Sequence, residues 1–307
     1  MRSLQHLHSS YIGFLNDPSM EIYGFSREQS TFKLQAEDTN SSLFLPCRSD
    51  NVVMSACVLQ GLWDLVRLGQ ERLLVSPYLP ACWAFLTHLS LCAPFFLLDL
   101  LSLSSARVRS WRLGALPAPG VRHWLECLMR LTRRYMVWVL PVTALLQWAL
   151  RGPELPHKAP SCVRLCAEVG ACFLLFDALF FVWHYSMHRF PWLYRNIHQE
   201  HHTSKALVAL AAQDSSGPEL LSLLLLALLC VRLVDCHPLS EAMFHLLNSW
   251  AAVEDHCGYD LPWGLHRLFP ALGLGGAPFH QAHHTKHSGN YAPYFTHWDR
   301  LFGTYKH

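Results

Sequence analysis

Long apolar runs decide what this 307-residue chain can fold into. Residues 162–183 end in "FLLFDALFFVW", and residues 78–103 read "YLPACWAFLTHLSLCAPFFLLDLLSL". A bilayer core of about 30 Å needs roughly 20 helical residues, so both runs have the length of a membrane span. Residues 135–150 and 219–234 are as apolar but short for a span, which predicts tilted or half-buried helices. The last of these resumes after "DCHP" through 239–253, as a hairpin would. Charged residues make up 15% of the chain and hydrophobic residues 51%, whereas soluble domains carry about 25% charged residues. The expected fold is therefore an all-α, multi-pass membrane protein, with about four transmembrane helices and a histidine-rich helical cap on their cytosolic side. The net charge of +2 offers no electrostatic footprint for nucleic acid.

Residues 1–54 are mixed and polar, and are expected to form a poorly ordered extension ahead of a membrane domain over 55–307. The N-terminus lacks the long apolar segment and small-residue cleavage site of a signal peptide, so insertion is expected to rely on internal segments. Asn40-Ser41-Ser42 is a glycosylation sequon, useful only in the lumen. The eleven cysteines form no CxxC pair, and Cys82, Cys92, Cys172 and Cys230 sit in apolar runs. They are expected to be reduced, buried thiols rather than a disulfide framework.

Basic residues set the orientation. Arg107, Arg109, Arg112, Arg122, Arg130, Arg133 and Arg134 lie between the first two apolar stretches, against only Arg151 and Lys158 between the second and third. Positive loops stay cytosolic, which places the N-terminus in the lumen and every histidine cluster in the cytosol.

Those clusters carry the chemistry. His184 and His188 are four residues apart, while His198, His201 and His202, and again His280, His283 and His284, form two HxxHH sets. Residues three and four apart share a helix face, so each set is expected to converge on one point. Neutral imidazole is a good ligand for iron, zinc, copper and nickel. A solvated histidine-rich face is the plainer explanation, but these clusters abut apolar helices rather than a polar tail. Eight histidines exceed the four that a structural zinc takes and suit two ions with positions left open. His256 is the best ninth ligand, and Asp255 and Asp177 are carboxylates that could orient the rings. His88, His237 and His245 are expected to be satisfied interior residues. His287 and His297 flank the last cluster, and His266 is a weaker candidate still.

The three histidine motifs together with "EDHCGYD" resemble the membrane fatty-acid hydroxylase/sterol desaturase superfamily. Within it, "FFVWHYSMHRFPWLYRNIHQEHH", "HPLSEAMFHLLNSWAAVEDHCGYDLPW" and "NYAPYFTHWDRLFGT" are most similar to members that hydroxylate a sterol side chain at C25. The likeness covers about 55–307 and extends to the apolar spacers. It implies a multi-pass endoplasmic-reticulum enzyme with two iron ions that uses O2 and electrons from an NADPH-linked, membrane-bound donor or reductase. Carried over, the ligands are His184, His188, His198, His201, His202, His280, His283 and His284, with His256. The chain departs from the family pattern at Met187, at Phe279 and at Gln281-Ala282, and in its longer N-terminal extension. Zinc can occupy such a site in isolated protein but is not redox-active and cannot run the reaction. On the same scaffold the alternatives are a C4-methyl sterol oxidase or a fatty-acyl hydroxylase. Outside it they are a zinc or iron transporter, which would place its ligands near the bilayer midplane, or an inactive binding relative.

The orientation gives a first prediction. Protein expressed in microsomes should lose a glycosidase-sensitive mass shift in the Asn40→Gln variant. Glycosylation of a sequon engineered into 104–134 would reverse the assignment.

Overall fold

Ser161 opens the longest helix, its side chain accepting a hydrogen bond from the Arg164 amide. Phe190 ends that helix in extended backbone, because the residue before Pro191 is held out of the helical region. The computed structural model describes residues 51–114, 118–149, 155–203 and 207–306. Asn40 and most of the proposed extension lie outside these residues. The main helices are α1 (Asn51–Arg67), α2 (Leu79–Ser104), α3 (Val121–Arg134), α4 (Leu140–Ala149), α5 (Cys162–Arg189), α6 (Gly217–Val234), α7 (Pro238–Asp255), α8 (Gly276–Lys286) and α9 (His297–Leu301). Among the described residues the only β-type pairings are two isolated bridges, Arg112 with Tyr259 and Leu274 with Phe295. The protein is all-α, as expected.

Three helices, α2, α5 and α6, are long and apolar enough to cross a membrane. Their outward side chains include Leu86, Leu97, Leu174 and Val182, all exposed. Water would penalise such a surface, whereas lipid does not. The apolar stretch 135–150 does not begin a helix of its own. It continues the amphipathic α3 through one wide π turn, Tyr135–Val139, into α4. Pro141 sits just past that turn. It has no amide hydrogen, and its ring crowds the carbonyl four residues earlier, so a widened turn relieves the clash.

The expected hairpin is present as α6 and α7, joined by a turn at Asp235–His237. Asp235 adopts left-handed backbone at φ 55°, and His237 caps α7 by accepting from the Leu239 amide. Both helices pack on α5, and α7 also packs on α2 and α8. The C-terminal ends of α5 and α7 and the N-terminal end of α6 therefore meet at one end of the bundle. His237 also has its Nε2 3.0 Å from the Lys158 carbonyl and its ring against Trp63, as expected for a satisfied residue. His88 is fully buried with its Nε2 3.7 Å from the Cys92 sulfur.

Buried charge pins the arginine-rich segment to this end. Asp99 of α2 accepts hydrogen bonds from Arg112 (3.0 Å), Trp124 Nε1 (2.9 Å) and the Tyr259 hydroxyl (2.7 Å). Arg134 of α3 reaches Asp214 and Glu200, so it ties α3 to the chain between His198 and His201. Removing one partner from a buried pair leaves an uncompensated charge and costs about 3–5 kcal/mol. Asp99→Ala should accordingly lose most monodisperse protein in detergent, read by size-exclusion chromatography, whereas Asp99→Asn should retain more.

Candidate metal centre

Nine histidines gather at that end of the bundle, drawn from four separate segments. His184 and His188 occupy the last two turns of α5. His198 closes a wide turn, Tyr194–His198, and His201 and His202 lie in a tight 3-10 turn, His201–Thr203. His256 follows the last residue of α7, and His280, His283 and His284 lie on α8.

They separate into two groups. His184, His188, His198, His202 and His283 form one, and His201, His256, His280 and His284 the other, with the ligand-capable atoms of each within 4.8 Å of one another. This corrects the expectation that each HxxHH set converges on one point, since both sets are divided between the groups. On α8 the reason is helical geometry. His280 and His284 are about 40° apart around the axis, and His283 stands about 100° from His284. The helix thus lies between the groups and serves both. In the other set the chain leaves α-helical geometry between His198 and His201, so the spacing rule does not apply. The groups adjoin, with the rings of His202 and His284 4.7 Å apart.

Hydrogen bonds to Nδ1 fix how the rings point. Nδ1 of His184 lies 2.7 Å from the Tyr291 carbonyl, that of His256 2.8 Å from the Ala252 carbonyl, and that of His283 2.8 Å from the Gly289 carbonyl. A carbonyl only accepts, so the ring proton resides on Nδ1 and Nε2 keeps its lone pair. Nδ1 of His198 is held likewise by the Glu219 carboxylate at 2.9 Å. Within the five-residue group the Nε2 of His184 and His198 then face each other at 3.0 Å. Two lone pairs at that distance repel unless a cation lies between them.

The remaining spacings fit such an ion. His198 and His202 are 2.9 Å apart at Nε2, and His202 and His283 3.2 Å. In the four-residue group His201–His256, His256–His280 and His280–His284 stand at 3.2, 2.9 and 3.0 Å. Ligands at right angles on bonds of about 2.1 Å are roughly 3.0 Å apart, and tetrahedral ones roughly 3.4 Å. The donor sets, five and four neutral imidazoles at these spacings, suit a transition-metal ion in each group.

Burial keeps these rings neutral. It pushes His198, His201, His202, His280 and His284 well below the ordinary imidazole value, with neighbouring imidazoles adding to the shift. His256 is lowered to about 4 and His283 to about 3, again chiefly by burial. Neutral imidazole is the form that binds metal.

The carboxylate beside a ring is Glu219, which the sequence reasoning missed. Asp177 and Asp255 were the expected orienting groups, and the structure gives neither that place. Asp177 instead accepts from the Tyr294 and Phe295 amides at 2.9 and 3.1 Å. Asp255 is buried, but the Nδ1 of its neighbour His256 faces Ala252. Glu219 was detectable as a single acid in the apolar run "ELLSLLLLALLCV", though the first turn of a helix is also where a merely capping acid would sit. His287 stands beside the site, its ring 4.8 Å from that of His202. His245 is near Glu241, and His266 pairs with Asp260 at 3.0 Å.

The carbonyls that orient His184 and His283 belong to one loop, and the end of the chain clasps it. Asp299 accepts from the Tyr291 and Ala292 amides, each at 2.8 Å, and Thr304 donates to Asp299 at 2.6 Å. Asn290 donates to the Lys306 carbonyl at 3.0 Å and accepts from the Lys306 amide at 2.7 Å. Gly289 has φ +85°, and a Cβ there would lie 2.3 Å from the Thr304 carbonyl oxygen, so only glycine allows this approach.

Two outcomes follow. Glu219→Gln removes the charge behind His198 and should weaken metal retention about 10–100-fold, measured by competition with a chelator on protein that still folds. Metal-free protein should lose stability as pH falls below about 6.5, where unfolded histidines take up protons and the buried ones do not. No histidine-linked change should occur above about pH 7.5. The loss should begin to flatten near the folded values of about 4 and 3 at His256 and His283 and continue below them for the rings that burial holds well below the ordinary value, as followed by thermal unfolding across pH.

Comparison with known proteins agrees with this architecture. The family model for fatty acid hydroxylase matches residues 169–304, which takes in all nine histidines. A cholesterol 25-hydroxylase-like protein of Danio rerio is 43% identical over 246 residues, covering 80% of this chain and 97% of that protein. Cholesterol 25-hydroxylase of Homo sapiens is 41% identical over 260 residues, covering 84% and 95%. The Rattus norvegicus enzyme of the same name is 43% identical over 247 residues, covering 80% and 82%. No solved structure matches. This extent of identity, with the family match over the histidine-bearing region, establishes that the chain is a hydroxylating oxidoreductase belonging to the fatty acid hydroxylase family.

Proposed function

We propose that the protein hydroxylates the side chain of cholesterol at C25, using two iron ions, O2 and electrons from an NADPH-linked membrane donor. The observation that carries the reading is the pair of adjoining all-histidine groups at one end of an apolar bundle, in a chain 41–43% identical to proteins named for that reaction. His184, His188, His198, His202 and His283 would hold one ion, and His201, His256, His280 and His284 the other. Bound iron supplies the redox chemistry that activates O2 toward an inert C–H bond, which no acid–base group of this chain could break.

The chain's own groups prepare that site. Carbonyls of Tyr291, Gly289 and Ala252 hold the protons of His184, His283 and His256 on Nδ1 and aim Nε2 inward. Glu219 holds His198 in the same sense and offsets part of the cationic charge that an all-imidazole shell leaves. The apolar α2, α5 and α6 would hold the sterol in the membrane with its side chain toward the histidine end. The site lies at helix ends rather than near mid-span, which favours an enzyme over a transporter. We place it at the cytosolic face of the endoplasmic reticulum, from the arginine-rich segment beside it.

The test is sterol output from cells given isotopically labelled cholesterol, with metal analysis of the purified protein. A labelled 25-hydroxysterol and about two transition-metal ions per chain are expected, with turnover requiring iron. His283→Ala should abolish output, whereas His245→Ala should keep most of it at equal expression. A product oxidised at a C4 methyl or on a fatty acyl chain would move the substrate assignment elsewhere in the family. One ion per chain, or full activity with zinc alone, would refute the two-iron reading.

A further inference from the structure

Away from the histidines, α5 and the α6–α7 turn bring two thiols together. The sulfurs of Cys172 and Cys236 are 3.3 Å apart although the residues are 64 positions apart in sequence. Cys172 is fully buried on α5, and Cys236 in the turn is partly exposed. Both are free thiols in the structure. A disulfide bond is about 2.05 Å long, so closing it asks the sulfurs to approach by only about 1.3 Å. Their surroundings hold them in place. Cys172 packs with Phe176, Cys230, Val231 and Phe244, and Cys236 packs on this cluster. The turn is fastened next door, where the His237 amide donates to Glu168 at 3.1 Å and Glu168 also pairs with Arg164.

We propose that Cys172 and Cys236 form a reversible disulfide that staples α5 to the α6–α7 turn. The oxidant is another disulfide, of a protein or of glutathione. The exposed Cys236, as thiolate, attacks it and forms a mixed disulfide, releasing one thiol. Cys172, as thiolate, then attacks the Cys236 sulfur, releasing the second thiol. Two electrons pass to the oxidising disulfide, and the two protons lost by the cysteines are taken up by the departing thiolates. The order follows from access, because Cys172 is closed to an outside reagent and Cys236 is not. The bond would enclose the whole of α6. It would also tie the helix that ends in His184 and His188 to the start of the helix that ends in His256. This inference stands apart from the hydroxylase reading, and the sequence alone, with its scattered odd number of cysteines, pointed only to reduced thiols.

The test uses full-length protein in its membrane, treated with glutathione disulfide and then denatured in N-ethylmaleimide without reductant. Peptide mapping should recover Cys172 joined to Cys236, and maleimide additions should fall from eleven to nine of the chain's eleven cysteines. The joined peptide should vanish in Cys236→Ser and persist in Cys166→Ser, which alters an exposed cysteine on the same helix. Recovery of both Cys172 and Cys236 as maleimide adducts in treated wild-type protein would overturn the proposal. So would a bond from Cys172 to Cys230 instead.

Discussion

Seven buried and two half-buried imidazoles face one another, and the architecture around them is what such a convergence requires. Neutral rings at about 3 Å repel, so the polypeptide must hold them there by other means until a cation offsets the repulsion. It does so from behind four of the rings. A carbonyl or a carboxylate takes the Nδ1 proton of His184, His198, His256 and His283, from the loop at 289–291, from α6 and from α7. The same burial that keeps the rings neutral makes charge expensive, which is why the enclosed Glu219 carboxylate is paired with His198.

The membrane helices are the frame for this cluster as well as an anchor in lipid. The site draws on α5, α6 and α7, each at one end only. α5 delivers two rings at its last turns, α6 delivers Glu219 at its first turn, and α7 delivers His256 as it stops. Because α7 touches α2, α5 and α8, a shift of any one of them reaches the second group of histidines. The arginine-rich segment is bound into the same unit, through Asp99 below and through Arg134 to Glu200 above.

Much of this was legible in the sequence, and the exceptions have physical reasons. The apolar run at 78–103 matches α2 within one residue at each end, and that at 162–183 shares the start of α5, which runs six residues further through His184 and His188. The run at 135–150 hid its true start, because α3 is amphipathic and polar in composition although it continues into that run. Eight of the nine histidines stood out by spacing and His256 as a ninth candidate, yet their division into two groups did not. The spacing rule assumes one straight helix facing one point, whereas Tyr194–His198 widens, His201–Thr203 tightens, and α8 presents two faces. Glu219 escaped notice because an acid in the first turn of a helix has an ordinary explanation. Asp177 and Asp255 drew notice by standing near histidines in sequence, but their side chains answer to backbone amides and to burial instead.

The clasp at the end of the chain bears on how the protein is made. Synthesis runs from the N-terminus, so the helices and the first five histidines leave the ribosome long before Asp299, Thr304 and Lys306. Those last residues complete the hold on the loop whose carbonyls aim His184 and His283, which Phe279 also holds through Asn290. The aim of His184 and His283 therefore depends on side chains more than a hundred positions from the first of them. A chain lacking residues 299–306 would keep all nine histidines and lose these holds on two of them.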